Sequence, residues 1–501
     1  LAFVDAMKSS RPWLTQCDAG EPGCTGDWNT PERDLLDLDE QGWVKSLPAP
    51  EDPPEYTKVG TLLRREIQGQ YQGGQYVVLY DGTGTIEYRY DAQKDEAASR
   101  PGRDVINVTP SQNGIYLLVT ATDPEGTGDY IRDIHVVPAE YEETFTTQPF
   151  NQMFLDRIRP FTALRFMDWM ETNNSAVSAW SDRPQVDDAR YSIKGVPLEL
   201  MAQLINELDV DAWFCMPHQA TDDYIRQFAE QAKALIEPDR HIYVEYSNEV
   251  WNWQFDQANY ALQQGQERWN QDGDVYMQWY GMRTAQMADI WRTVFDDAGD
   301  RLTLVISTQT AWQGLEQAAL DCPLWVEEGN RPCHEYADAY AITSYFSGKL
   351  SDPANEAAIE GWLNNPEQAT ENALTQLQDG NLLENNGDNI AGKRDSFAYH
   401  GQVAEDRGLA LMVYEGGQHL VAANNEALTE FYIELNRHPR MYDLYSNLLT
   451  AWQESGGSLF MNFSSIAQPS RWGSWGALET VYDESSPKYD ALVDFAEGLG
   501  D

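Results

Sequence analysis

The segment spanning residues 198–252 constrains the chain most, because its hydrophobic period alternates between about 3.6 residues and strand-like runs. Pro197 opens a predicted helix whose apolar face is Leu198, Met201, Leu204, Ile205 and Leu208. Residues 211–217 read as a buried strand. Thr221 caps a second predicted helix, with Tyr224, Ile225, Phe228, Ala232, Leu235 and Ile236 on one face and Pro238 at its end. Residues 241–247 are the next strand. Helix, strand, helix, strand at this spacing implies parallel strands joined by helical crossovers.

Seven such strands follow residue 150, at 162–168, 211–217, 241–247, 302–308, 339–345, 409–415 and 458–464. A closed barrel of this kind needs eight, and the apolar run 2–7 is the expected first strand. The predicted fold class is therefore α/β, a (β/α)8 TIM barrel. The region 51–140 has a different texture, with short alternating segments at 75–80, 85–90, 104–109, 114–120 and 131–137. The first two flank Asp81-Gly82-Thr83-Gly84, a hairpin signal. The expected domains are 1–50 (barrel strand one and a Pro-rich linker at 47–54), 51–140 (a small all-β sandwich inserted between barrel strands one and two) and 141–501 (the rest of the barrel).

A chain of 501 residues, 42% hydrophobic and 12% aromatic, buries a large core. Its net charge of −47 repels phosphate backbones and anionic membrane surfaces, which argues against nucleic acid as a partner. No run is long and apolar enough to suggest membrane insertion. Five cysteines fall as Cys17 and Cys24, Cys215 alone, and Cys322 and Cys333. Neither close pair has zinc-site spacing, so no metal or other cofactor is expected, and two local disulfides with one buried thiol are. Disulfides imply a secreted or periplasmic protein, and a start at Leu1 without Met is consistent with a removed export signal.

In such a barrel the chemistry sits where strands end, and two endings carry carboxylates. The strand His-Ile-Tyr-Val-Glu-Tyr-Ser delivers Asn248-Glu249, and Leu-Met-Val-Tyr delivers Glu415, followed by Gly416-Gly417. On these residues the chain resembles the clan A glycoside hydrolases, the superfamily of cellulases, mannanases and β-galactosidases. In that clan an Asn-Glu pair ends strand four and a Glu, often followed by Gly, ends strand seven. The resemblance implies that Glu249 is the acid/base and Glu415 the nucleophile, with Asn248 beside them. It covers the barrel and not the all-β region. Cleaving an acetal requires a proton for the leaving oxygen and a nucleophile for the anomeric carbon, and two carboxyls about 5 to 5.5 Å apart supply both with retention.

Arg165 is a cation in an apolar strand and needs a buried partner, Glu415 or Asp168. A strand-two arginine is also typical of the cellulase-like families. His218, ending strand three, is a candidate for bonding a sugar hydroxyl or the acid/base, with a plain loop histidine as the alternative. Tyr345 resembles the clan tyrosine that bonds the nucleophile, with Tyr340 and Ser344 as close competitors. Seventeen tryptophans exceed what a core alone usually needs, and of those near strand ends Trp251 and Trp169 are the preferred sugar platforms. Strand eight carries Asn462 and Phe463 where a Trp is often found in the cellulases, which leaves the sugar and linkage open.

These residues together predict a retaining glycosidase acting on a β-linked glycan, with carbohydrate as the partner. Two other readings share them. One is a non-catalytic glycan-binding barrel, and the other is a transglycosylase that passes the covalent intermediate to a sugar.

Overall fold

Apolar side chains at every second position build the first unit. Val59, Leu63, Ile115, Leu117 and Val119 share one core with Tyr76, Val78, Ile106, Val108, Ile134 and Val136, as strands with period two require when each buries one face. The strands are β1 (Leu14–Gln16), β2 (Lys58–Leu63), β3 (Gly74–Asp81), β4 (Gly84–Tyr90), β5 (Ala92–Lys94), β6 (Arg103–Val108), β7 (Ile115–Thr122) and β8 (Arg132–Pro138). They form two antiparallel sheets, β1-β2-β7-β4 and β5-β6-β3-β8. This computed structural model describes residues 1–21, 23–25, 28–30, 32–48, 55–383 and 387–498. The chain divides into one unit of Leu1–Asp156 with Arg183–Leu200 and another of Arg157–Asp182 with Met201–Asp501.

Three expectations change in the first unit. The run 2–7 is not a barrel strand: Phe3 makes one antiparallel bridge to Phe150, and Ala6–Ser9 is a 3-10 turn. Ala6 and Met7 lie in the core of the β unit, and the Asp5 carboxylate accepts from the backbone of Met7 and of Val136, each at 2.9 Å. A short apolar run has no period of its own, so packing decides its conformation. Consequently residues 1–50, with Trp13 and Trp43 in the same core, group with the β strands, and the unit is larger than 51–140.

The hairpin at 81–84 is also absent, since β3 and β4 belong to different sheets. The glycines serve a close crossing instead. Gly82 has φ +88°, and a Cβ there would stand 1.9 Å from the Tyr130 carbonyl oxygen. Of the predicted linker, residues 49–54 lie outside the described residues.

In the second unit all seven expected strand positions are occupied, by β9 (Ala163–Arg165), β10 (Asp211–Met216), β11 (Ile242–Tyr246), β12 (Leu302–Ser307), β13 (Ala339–Phe346), β14 (Ala410–Gln418) and β15 (Leu459–Asn462). Each pairs in parallel with the next, in chain order. Helices such as Asp222–Leu235, whose cap Thr221 accepts from the Tyr224 amide at 3.2 Å, make the crossovers. Ala163, Trp213, Cys215, Val305, Ala341, Met412, Tyr414 and Met461 fill the barrel interior. β15 and β9 lie next to each other, but no ladder joins them among the described residues. The barrel sheet is thus nearly closed, with seven strands.

Cys17 pairs with Cys24 and Cys322 with Cys333, leaving Cys215 buried and free, as the spacing predicts. Among the described residues, no helix is long and apolar enough to cross a membrane.

Candidate active site

A bulge in β14 shapes the site. Ile342 pairs with Val413 and then Thr343 with Glu415, so Tyr414 is an extra residue on β14. A bulge shifts the side-chain alternation by one, which lets two consecutive residues face the same side. Tyr414 stays in the barrel interior, and Glu415 reaches the same cation that the Tyr414 ring covers.

That cation is Arg165, at the end of β9. One guanidinium nitrogen donates to Glu415 Oε1 at 2.7 Å, and the other to Glu245 Oε2 at 2.8 Å and Asn248 Oδ1 at 2.9 Å. Its guanidinium carbon lies over the rings of Tyr414 and Trp213, at 5.1 and 5.6 Å from their centres. Asp168, the other partner weighed for it, is not among these bonds. Glu245 is fully buried on β11 and takes three further donors: Ser307 Oγ at 2.7 Å, Trp213 Nε1 at 3.1 Å and the Cys215 thiol at 3.7 Å.

Past β11 the backbone turns sharply, with Ser247 at φ +61° and Glu249 at φ +42°, both in the left-handed region that non-glycine residues seldom occupy. Neighbouring bonds hold the turn. Asn248 donates to Asn173 Oδ1 at 3.1 Å, while Gln257 donates to the Asn248 carbonyl at 2.8 Å and to Asn173 Oδ1 at 2.7 Å. Backbone strain over-determined in this way is characteristic of functional sites. The Glu249 carboxyl accepts from Asn252 Nδ2 at 2.9 Å and from Tyr414 OH at 3.3 Å.

The two carboxyls have unlike surroundings. Burial, then the charge of Glu415, pushes the Glu249 carboxyl up to about 8. Burial also raises Glu415, but the Arg165 charge and the bonds from Arg165 and Tyr345 pull it back down. Both carboxyls thus stand above the ordinary carboxylate range, and the two donors on Glu415 favour its ionised form.

Tyr345 OH donates to Glu415 Oε2 at 2.9 Å. Its competitors are engaged elsewhere or apart: the Tyr340 hydroxyl is bonded to His400 Nδ1 at 3.0 Å, and the Ser344 hydroxyl is buried without a partner. His218 is not brought to either carboxyl by a hydrogen bond. It is buried against Tyr260, 5.2 Å between ring centres, with burial holding its imidazole down at about 4 and hence neutral. Trp251 donates its indole N–H to Tyr414 OH at 3.2 Å, which makes it a support for the Glu249 side as well as a partly open ring. Trp169 packs on Phe166 at 5.6 Å and, with Asn462, lines a cavity of about 510 Å³ that also contains Arg165 and Glu415. Asn462 Oδ1 has no hydrogen-bond partner there. The cavity follows the seam between β9 and β15.

Two residues of the network were not expected. Glu245 carried a signal, a carboxylate inside an apolar strand, the same argument that marks Arg165. Tyr414 carried none, because the bulge that turns it beside Glu415 leaves no mark in the sequence. Trp475 is a further aromatic at this end, packing on Phe463 at 5.7 Å and Tyr345 at 5.8 Å. Among the described residues, Cys17, Glu21 and Cys24 are the ligand-type side chains close enough to share an ion, and their sulfurs are joined to each other.

No family model and no curated protein matches the chain. Solved structures do. AbfB, a family 51 α-L-arabinofuranosidase from Bifidobacterium longum, is similar with a TM-score of 0.41 and 10% identity, over 70% of this chain and 67% of that one. A GH5-4 broad specificity endoglucanase from Bacteroides salanitronis is similar with a TM-score of 0.37 and 13% identity, over 69% of this chain and 84% of that one. A double mutant of a Cellulomonas fimi endo-β-1,4-mannanase is similar with a TM-score of 0.36 and 9% identity, over 68% and 72%.

Proposed function

We propose that the chain is a retaining glycoside hydrolase acting on β-linked polysaccharide or oligosaccharide, with Glu249 as acid/base and Glu415 as nucleophile. One observation carries the reading: of the two carboxyls, one just past β11 and the other on β14, only Glu415 accepts from Arg165 and Tyr345, while Glu249 accepts from Asn252 and Tyr414. Glu415, ionised and held by two donors, attacks the anomeric carbon. Glu249, protonated, gives its proton to the leaving oxygen, then takes one from the water that releases the sugar from Glu415. Donation from Tyr345 and Arg165 holds the attacking carboxylate in one orientation, which is where such bonds contribute most. Two disulfides fit action in an oxidising compartment, outside the cell or in the periplasm.

The test combines a glycan panel with azide rescue. Release of reducing sugar from β-glucans, mannans, xylans or galactans is expected from the wild type. Glu249→Ala, given a dinitrophenyl β-glycoside, accumulates the glycosyl enzyme, and azide restores turnover as the β-glycosyl azide. Glu415→Ala gives the α-azide instead. The opposite anomers reverse the two roles, and wild-type activity in either variant removes that residue from the mechanism.

A further inference from the structure

In the N-terminal unit, three aromatic rings gather against the sheet β1-β2-β7-β4. Tyr116, on β7, is buried, and over it stand Trp28 and Tyr90, which are 47% and 51% exposed. Ring centres are 5.2 Å apart for Trp28 and Tyr116, 5.4 Å for Tyr90 and Tyr116, and 6.2 Å for Trp28 and Tyr90. The planes of Trp28 and Tyr90 differ by 21°. Two large rings with nearly parallel planes are therefore presented to solvent on a third.

The backbone is arranged for this display. Tyr90 ends β4 at φ +62°, a conformation that a bulky residue rarely adopts. The next residue fixes it: the Asp91 carboxylate accepts from the Ser111 amide at 2.7 Å, the Gly114 amide at 3.1 Å, and the hydroxyls of Tyr71 and Ser111. Trp28 is tied by its carbonyl to the Gln16 side chain, one residue before the Cys17–Cys24 disulfide. Strain held in place at an exposed aromatic points to a use for that ring.

We infer that Trp28 and Tyr90 form a binding platform for a neutral polysaccharide. The C–H face of a pyranose covers an aromatic ring well, and the stacked, half-exposed Trp28 and Tyr90 offer two such rings at one place. Anionic polymers are disfavoured. The nearby cations are already matched, Lys58 with Asp18 and Arg89 with Glu87 at 3.1 Å, and the whole chain carries a net charge of −47. A protein partner needs roughly 1,000 Å² of buried surface, far more than two half-exposed rings offer. The platform does not depend on the hydrolase reading.

Affinity electrophoresis of the full chain at 4 °C tests it, in native gels containing hydroxyethylcellulose, galactomannan, arabinoxylan or, as the anionic control, polygalacturonate. Retardation is expected in at least one neutral gel and not in polygalacturonate. Trp28→Ala and Tyr90→Gly each weaken it at least tenfold, while hydrolysis of a small aryl glycoside is unchanged. Glycine is at ease at φ +62°, so Tyr90→Gly keeps or raises the melting temperature while losing affinity, which a merely structural role does not produce. No retardation in any neutral gel, retardation that survives both substitutions, or retardation by polygalacturonate overturns the platform. Dimerisation of the wild type in sedimentation velocity, lost in Trp28→Ala, overturns it in favour of a second copy of this chain.

Discussion

The hydroxyl of Tyr414 lies 3.3 Å from Oε1 of Glu249, so the residue that precedes one carboxyl in the chain is bonded to the other. Its ring covers Arg165, and its oxygen accepts from the Trp251 indole. Tyr414→Phe keeps the ring and removes the hydroxyl. That bond holds the Glu249 carboxyl down, so its loss moves the alkaline limb of kcat/KM to higher pH, with kcat reduced about tenfold for a lost bond to an ionisable group. An unchanged pH profile would detach Tyr414 from Glu249.

With Glu249 as the proposed proton donor and its carboxyl pushed up to about 8, activity is expected to fall as pH rises through that value. Stability follows the same sign. The folded state binds this proton more tightly than the unfolded chain, so stability is full below the ordinary carboxylate range and declines up to pH 8. Glu249→Gln has no charge to accommodate. Its unfolding free energy is expected to exceed that of the wild type by on the order of 2 to 4 kcal/mol at pH 9, and the gap closes near pH 4. Paired denaturant titrations at the two pH values measure it.

Tyr345→Phe acts on the other limb. Its hydroxyl stabilises ionised Glu415, so removing it raises that carboxyl and moves the acid limb of kcat/KM upward. A bond to a charged group contributes roughly 1.5 to 3 kcal/mol, which corresponds to a loss of about 10- to 150-fold. Tyr340→Phe is the control, because that hydroxyl bonds to His400 and Thr308 and leaves the acid limb in place.

Glu245 and Arg165 form a buried ion pair, with side-chain exposures of 0% and 6%. Removing one member leaves the other uncompensated, at a cost of about 3 to 5 kcal/mol. Arg165→Met therefore lowers stability by that order, and Glu245→Met does so nearly as much. Glu245→Gln retains an acceptor for Arg165 and is milder in stability. It removes a charge that raises Glu415, so the acid limb moves to lower pH. Denaturation midpoints and pH profiles separate the two effects.

The seven barrel strands were readable because buried parallel strands are apolar runs set between amphipathic helices, two periods that differ plainly. Residues 2–7 were misleading because a short run of five apolar residues around Asp5 suits a packed segment ending in a 3-10 turn as well as a strand. Turn chemistry at 81–84 announced a reversal but not which sheet the chain would join next. Arg165 and Glu415 were readable as charged residues in or at the end of apolar strands and Tyr345 through the family resemblance, and Arg165 and Tyr345 both donate to Glu415. His218 was chosen on the same ground and makes no hydrogen bond to either carboxyl, because position at a strand end says nothing of where a ring turns. Tyr414 was hidden by the bulge, since strict alternation sends it and Glu415 to opposite faces.

Among the described residues no ladder joins β15 to β9, which gives the Arg165 network a second meaning. β9 is an end strand of the sheet, three residues long and paired on one side by β10. From its last residue, bonds cross the barrel to Glu245 on β11, to Asn248 just beyond it and to Glu415 on β14. These are struts across the hoop, doing with side chains what the rim does not do with its backbone. The cation that holds Glu415 thus also ties the end strand β9 to β11 and β14, so a change that frees Arg165 is expected to loosen this edge of the sheet together with the proposed nucleophile.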